Sequence, residues 1–416
     1  MKIGILTIGN ELISGKTQDT NGSFIARELN RRGWQVAGML SVGDDPDLIK
    51  GGLDYLLSLA DGLIITGGLG PTVDDITTAA VARAFGLELI MDEPVLRHIK
   101  ERMTSRNRPW VPNNAKQALF PEGAETIINR VGTAWGFSLK QDGKLVAVIP
   151  GVPSEAQKML LEGVIPLFQR ECRDDVHLLT RIIKLSGISE SLVDQTLADV
   201  ECTGVSVGFY PRFPELELVL NARDASREKA MGKINRVESE VVKRLSEHIF
   251  AYDQETLEGV VAALLTKQKK TIALAESCTG GLISDRLTDV PGSSAFFERG
   301  LVTYSNRSKE ELLGVPAAVI RQYGAVSREA ALLMAEGVRN SGKTDLGLAT
   351  TGIAGPAGGT AEKPVGTVFI ALADGKSTYC RPFSFPWDRR RNKVLTAQWA
   401  LLMLRKYLTG EPVYEQ

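Results

Sequence analysis

Histidine is nearly missing from this chain: His98, His177 and His248 are the only three, and none lies beyond residue 248. A Ser-His-Asp triad or a Cys-His pair therefore cannot be built within the C-terminal part of the sequence. Cysteine is also scarce, and Cys172, Cys202, Cys278 and Cys380 stand too far apart to form a CxxC zinc or redox pair. They read as reduced thiols of a cytoplasmic protein. No run approaches the roughly 18 apolar residues of a membrane span. The opening Met1-Lys2 leads into only Ile3-Gly4-Ile5-Leu6, too short for a signal-peptide core and followed by no cleavage site, so neither export nor a membrane partner is expected. An excess of either charge is missing too: 49 Lys and Arg meet 50 Asp and Glu, a net charge of -1. With a pI near 6.4 there is no basic footprint for a nucleic-acid backbone, so no direct nucleic-acid partner is expected and any phosphate ligand should be small.

What is present is ordinary globular composition, 43% hydrophobic and 24% charged with a mean hydropathy of -0.04. A length of 416 residues exceeds the roughly 250–300 that one core serves, so two or three domains are expected. Over 1–170, apolar runs at 2–7, 36–42, 62–66 and 145–149 alternate with helical patterns at 21–32, 46–60 and 75–85. Uniformly apolar strands alternating with helices predict an α/β domain with a parallel sheet covered on both faces. Residues 171–252 change texture, with strands over 181–186, 206–210 and 216–221 and one charged amphipathic helix over 225–248, a small α+β module. A boundary near 251–256 then precedes a second α/β domain over 257–416, opening with a helix at 257–268 and a strand at 271–275.

Three turns follow strands of the first domain. The first carries Asn10, Glu11 and Asp19 before a helix that Asn21 or Ser23 would cap. The second is Gly67-Gly68-Leu69-Gly70-Pro71-Thr72 with Asp74 and Asp75, and the third is Pro150-Gly151-Val152-Pro153-Ser154-Glu155. Glycines let backbone amides approach a phosphate, and carboxylates beside a phosphate call for a divalent metal between them. Asn10, Gly67, Gly68, Gly70 and Thr72 are the candidate ligand-binding residues, and Asp74, Asp75 and Glu11 the candidate metal ligands. The order and spacing of these turns resemble the molybdopterin-binding type domain that begins the CinA (competence/damage-inducible) proteins; the one departure is Trp135, where that family suggests proline. The resemblance implies a metal-dependent ADP-ribose pyrophosphatase. It also implies a KH-like middle module, although here a GXXG clamp is missing, so RNA binding is not carried over.

In the last domain, Ala275-Glu276-Ser277-Cys278-Thr279-Gly280-Gly281 lies between a strand and a helix. A hydroxyl or thiol on such a turn is exposed beside helix N–H groups that hold an oxyanion, and the same geometry binds phosphate passively. Without histidine the base would be lysine or tyrosine, and Tyr304 and Lys309 offer both. Thr351 and Gly352 sit in a second flexible turn, and 388–393 is a short basic run that reads as a solvated helix start or an anion clamp. These motifs together resemble the NMN deamidase domain of the CinA family. The resemblance implies hydrolysis of nicotinamide mononucleotide (NMN) to nicotinate mononucleotide and ammonia, without a cofactor. It assigns Ser277 as nucleophile, Lys309 and Tyr304 as supporting groups, and Thr279, Gly280, Gly281, Thr351 and Gly352 as substrate contacts. An arginine of 389–391, represented by Arg390 at its centre, would meet the substrate phosphate, and the family also implies a homodimer. The alternative is a regulatory protein that binds a molybdopterin-like or nucleotide ligand without turnover, connected with competence or DNA damage.

Overall fold

The computed structural model describes residues 1–105, 107, 109–171 and 177–413, so Cys172 lies outside the described residues. Two compact units emerge, Met1–Thr180 with Asn221–Ile234, and Arg181–Leu220 with Asn235–Gln416, so residues of the middle module fall in both.

The first unit is built on strands β1 (Lys2–Ile8), β2 (Gln35–Val42), β3 (Gly62–Thr66), β6 (Glu125–Ile127), β7 (Gly136–Gln141) and β8 (Lys144–Ile149), with β4 (Leu89–Met91) and β5 (Leu119–Pro121) as a separate antiparallel pair. The sheet order is β2-β1-β3-β8-β7-β6. Its first four strands are parallel, while β7 and β6 add an antiparallel edge. The central strands β1, β3 and β8 are almost wholly apolar because both of their faces are covered. Leu6, Ile8, Leu63 and Ile65 point to the Pro46–Leu59 helix, whereas Ile3, Ile5, Ile64 and Ile149 point to the Thr20–Arg31 helix and Phe168. Thr7 pairs with Thr66, and Thr66 with Ile149, so the turns after β1, β3 and β8 leave the sheet side by side. That is the crevice at the carboxyl ends of an open α/β sheet.

The small KH-like sheet runs β10-β11-β9-β12, from β9 (His177–Leu185), β10 (Val205–Arg212), β11 (Glu215–Asp224) and β12 (Ile249–Tyr252), with one long helix, Arg227–Leu245. The last sheet runs β14-β13-β15-β16-β17, from β13 (Ile272–Glu276), β14 (Phe297–Val302), β15 (Leu346–Gly352), β16 (Thr367–Ala373) and β17 (Thr378–Ser384). Alternation here sorts side chains by size. Ile272, Leu274, Leu348 and Ile370 face the Leu257–Gln268 and Arg389–Thr409 helices, while Ala273, Ala275, Ala349 and Ala371 face the Arg328–Gly342 helix. The small residues let that helix lie close to the sheet: a Cβ at Gly347 would stand 2.2 Å from Ala335 O. Glu276 pairs with both Val302 and Thr350, so the chain leaves β13, β14 and β15 at one edge. Among the described residues, no helix is long and apolar enough to cross a membrane.

Candidate active site

At that edge Ser277 N donates to Thr350 O at 3.0 Å, and the backbone then turns through Gly280 (φ 61°) and Gly281 (φ 95°) into the Leu282–Thr288 helix. The preceding residue, Glu276, is buried beneath the turn. Its carboxylate accepts from Gly281 N (3.0 Å), Ile283 N (3.1 Å), Ser284 N (2.8 Å) and Ser284 Oγ (2.7 Å). A buried anion fully hydrogen-bonded at a helix start fixes the turn. It also occupies three of the amides expected to face an oxyanion, which leaves those of Thr279 and Gly280 without an acceptor among the described residues.

Lys309 comes from the next connection. Ser305 and Ser308 form a reciprocal capping box that starts the Asn306–Leu313 helix and turns Lys309 inward, where it is only 1% exposed. Its Nζ lies 3.1 Å from Ser277 Oγ, donates to Thr303 O at 2.7 Å and approaches Tyr304 O at 3.5 Å. Among the described residues no carboxylate pairs with it, and burial pulls its pKa down to about 8. Burial acts oppositely on the neighbouring Cys278 thiol, pushed up to about 12, so that side chain is a neutral thiol.

Tyr304 contributes its backbone to Lys309 and directs its ring elsewhere. The residue is 59% exposed, and its Oη accepts from Arg389 Nη2 at 2.7 Å, while Arg389 Nη1 donates to Gly355 O at 2.7 Å. Arg389 is thus the arginine of the basic run that reaches this edge; the Arg390 side chain has no hydrogen bond or ion pair among the described residues. One turn further along the same helix, Lys393 Nζ stands 3.4 Å from where a Cβ on Gly280 would be. Sequence reasoning counted Lys393 in the basic run without giving it a place in the site, although its i+4 spacing from Arg389 on a helix capped by Asp388 places both on one face. Thr279, Thr351 and Gly352 serve the packing of the edge. Thr279 Oγ1 meets Thr350 Oγ1 at 2.9 Å, Thr351 Oγ1 donates to Ala325 O at 2.7 Å, and a Cβ on Gly352 would fall 2.6 Å from Val368.

In the first unit, the three turns enclose a cleft of about 520 Å³ that contains Glu11, Asp44, Asp74, Asp75 and Glu155. Asp19, rather than Asn21 or Ser23, caps the Thr20–Arg31 helix. Asn21 instead donates to Gly151 O at 2.7 Å and Thr66 Oγ1 at 3.3 Å, tying the turns together. Asn10 exchanges hydrogen bonds with Asp44, N to Oδ2 at 2.8 Å and Oδ1 from Asp44 N at 3.2 Å. Burial, and then the charges of Glu11, Asp74 and Asp75, raise the Asp44 pKa, which marks the cleft as cation-seeking. Sequence reading did not single out Asp44. Thr72 Oγ1 donates to Asp74 Oδ1 and Asp75 Oδ2, both at 2.5 Å, and holds the Asp74 carboxyl below its ordinary value. Among the described residues no three carboxylates, imidazoles or thiols converge on one ion position. The donor set suits a magnesium-like ion that takes one or two carboxylates and completes its shell with water and ligand phosphates. Trp135 packs edge-on against His98 with centroids 5.3 Å apart, next in the chain to Ala134, which lines the cleft.

Gly67 has φ 111°, and a Cβ there would meet Ile8 O at 2.1 Å. Gly67→Ala should therefore cost on the order of 2–4 kcal/mol and lower the melting temperature of the first unit by about 5–15 °C. Scanning calorimetry checks this; an unmoved transition would show that the turn accepts a side chain.

Comparison with known families matches residues 254–408 to "CinA C-terminal domain", residues 4–170 to "Probable molybdopterin binding domain" and residues 180–251 to "Damage-inducible protein CinA KH domain". A CinA-like protein of Syntrophus aciditrophicus is 60% identical over 414 residues, covering 99% of each chain. Another, of Geotalea daltonii, is 44% identical over 414 residues, covering 99% of this chain and all of its own. Among solved structures, the competence/damage inducible protein CihA of Agrobacterium tumefaciens is 39% identical, covering 37% of this chain and 95% of its own with a TM-score of 0.35.

Proposed function

The chain belongs to the CinA family, and we propose that its C-terminal domain hydrolyses the carboxamide of NMN to nicotinate mononucleotide and ammonia. One observation carries this reading: a buried lysine, without a carboxylate partner among the described residues, lies 3.1 Å from the hydroxyl of Ser277. A neutral amine has two protons and one lone pair. The protons suit the Thr303 and Tyr304 carbonyls, which leaves the lone pair for the Ser277 hydroxyl proton. Ser277 Oγ then bonds to the amide carbon while its proton passes to Lys309 Nζ. The oxyanion faces the free amides of Thr279 and Gly280. Collapse breaks the C–N bond, and Lys309 returns the proton to the departing ammonia. Water, deprotonated by the same amine, cleaves the acyl–serine ester and restores the hydroxyl. Arg389 and Lys393 supply positive charge on the side of the turn where a substrate phosphate would lie.

For the first unit we propose the second activity, hydrolysis of ADP-ribose to AMP and ribose 5-phosphate. A divalent ion bound there would neutralise pyrophosphate charge. One or two of Asp44, Asp74, Asp75 and Glu11 would hold it, and the 68–70 stretch of the glycine turn lines the same cleft, where its amides would meet the phosphates. We place the protein in the cytoplasm as a homodimer acting on free nucleotides. The test of the main reading is to incubate the purified protein with NMN. Ammonia and nicotinate mononucleotide should appear in equal amounts, and no ammonia above a heat-denatured control would contradict it.

A further inference from the structure

The small middle module has no function assigned by its sequence, yet its β10–β11 hairpin reaches the helix that carries Arg389. β10 ends at Arg212 and β11 begins at Glu215, so Phe213 and Pro214 form the tip. Phe213 is half exposed, but one edge of its surroundings is the Arg391 guanidinium, 5.5 Å from the ring centroid. Arg391 is held on another side by Trp387 at 5.1 Å. Trp387 is in turn fixed by the buried Asn392, which donates to Trp387 O at 2.8 Å and to Ala354 O at 3.1 Å. At the hairpin's root, Glu215 Oε1 accepts from Gln398 Nε2 at 3.3 Å, about two turns further along the same helix. The hairpin therefore grips the Arg389–Thr409 helix at two points, and the outer point lies on the turn that presents Arg389 to Tyr304 and Gly355.

We propose that Phe213 is a positioning residue: through Arg391 it holds the first turn of the last helix, and with it the Arg389 guanidinium, in place to receive the anionic group of the substrate. The middle module then acts as a strut for the C-terminal site. This rests on the NMN reading for the identity of the substrate, but not for the mechanical link. Cation–π contacts at exposed sites shift an equilibrium by roughly two- to fivefold, so the effect is on binding and not on the bond-breaking step.

The test uses the full chain carrying Phe213→Ala or Arg391→Gln, neither of which opens the core. With NMN, KM should rise about fivefold while kcat stays within about twofold. With nicotinamide riboside, which lacks the phosphate, KM should not change. The double variant should be no worse than Arg391→Gln alone, because that change already removes the contact with Phe213. Hydrogen–deuterium exchange over 386–395 should also speed up about fivefold in Phe213→Ala. Unchanged exchange overturns the strut whatever the protein hydrolyses. Faster exchange with an unaltered KM for NMN overturns its role in anion binding, whereas a wild-type protein that releases no ammonia sinks the NMN reading alone.

Discussion

Ser277→Ala should lower ammonia release from NMN by about three to six orders of magnitude, and Lys309→Ala should lower it nearly as far, because a nucleophile and its base act as one unit. The loss in the second case follows from geometry. Lys309 is the basic side chain placed against the Ser277 hydroxyl, at 3.1 Å, and the C-terminal domain has no histidine to replace it. Removing both should cost little more than removing one. Cys278→Ala should stay within about tenfold of wild type, since a thiol pushed up to about 12 by burial is not a nucleophile near neutrality. Tyr304→Phe should also cost less than the first two, about tenfold and mostly in KM, because its hydroxyl braces Arg389 and does not touch Lys309. Rates of ammonia release for the four variants check the set. An active Ser277→Ala beside a dead Cys278→Ala would move the chemistry to the thiol, and activity in both would leave water as the direct attacker.

Asp74→Asn or Asp75→Asn should abolish metal-dependent AMP release from ADP-ribose, by about a hundredfold or more, while NMN deamidation stays intact. Each change removes one negative charge from a cleft where burial first, and then the neighbouring carboxylates, raise the Asp44 pKa. Asp75 also accepts from Thr72 N at 2.8 Å, so its loss loosens the glycine turn as well as the charge. Measuring AMP and ammonia from the same preparations separates the two sites. If both variants retain full AMP release, the carboxylates only shape the turn, and Glu11 with Asp44 becomes the set to examine.

Much of the architecture was readable from periodicity. β3 stands at the residues its apolar run marks, and the Leu257–Gln268 helix begins and ends where its pattern does, because burial on both faces or on one leaves a clear signature. The region between 86 and 141 was not readable: β4, β5 and β6 have three residues each, too few for alternation to register. Elimination of histidine narrowed the base to lysine or tyrosine and turn chemistry offered the hydroxyl or thiol of 277–278, while the choice of Ser277 and Lys309 came from the family resemblance. Their distance was not legible, since it depends on β13 and β14 being neighbours in one sheet. Glu276 and Lys393 lie within stretches the sequence marks, but nothing local tells what either does. What makes Glu276 a clamp is the return of the helix start over its own carboxylate, and what brings Lys393 to Gly280 is a helix more than a hundred residues later. The stack of Phe213 on Arg391 is equally a product of tertiary structure.

The protonation of one amine is the point on which the C-terminal chemistry turns. A lysine that acts as base must be neutral, and burial has brought Lys309 to about 8, so kcat/KM for NMN should rise about tenfold per pH unit below that value and level off above it. Lys309→Arg, which cannot lose its proton, should be inactive at every pH. The measurement is the rate of ammonia release from NMN across about pH 6 to pH 10 for the wild-type chain. A rising limb with its bend near 8 is the predicted result; a profile that is flat through this range, or that falls as pH rises, contradicts a lysine base at Ser277.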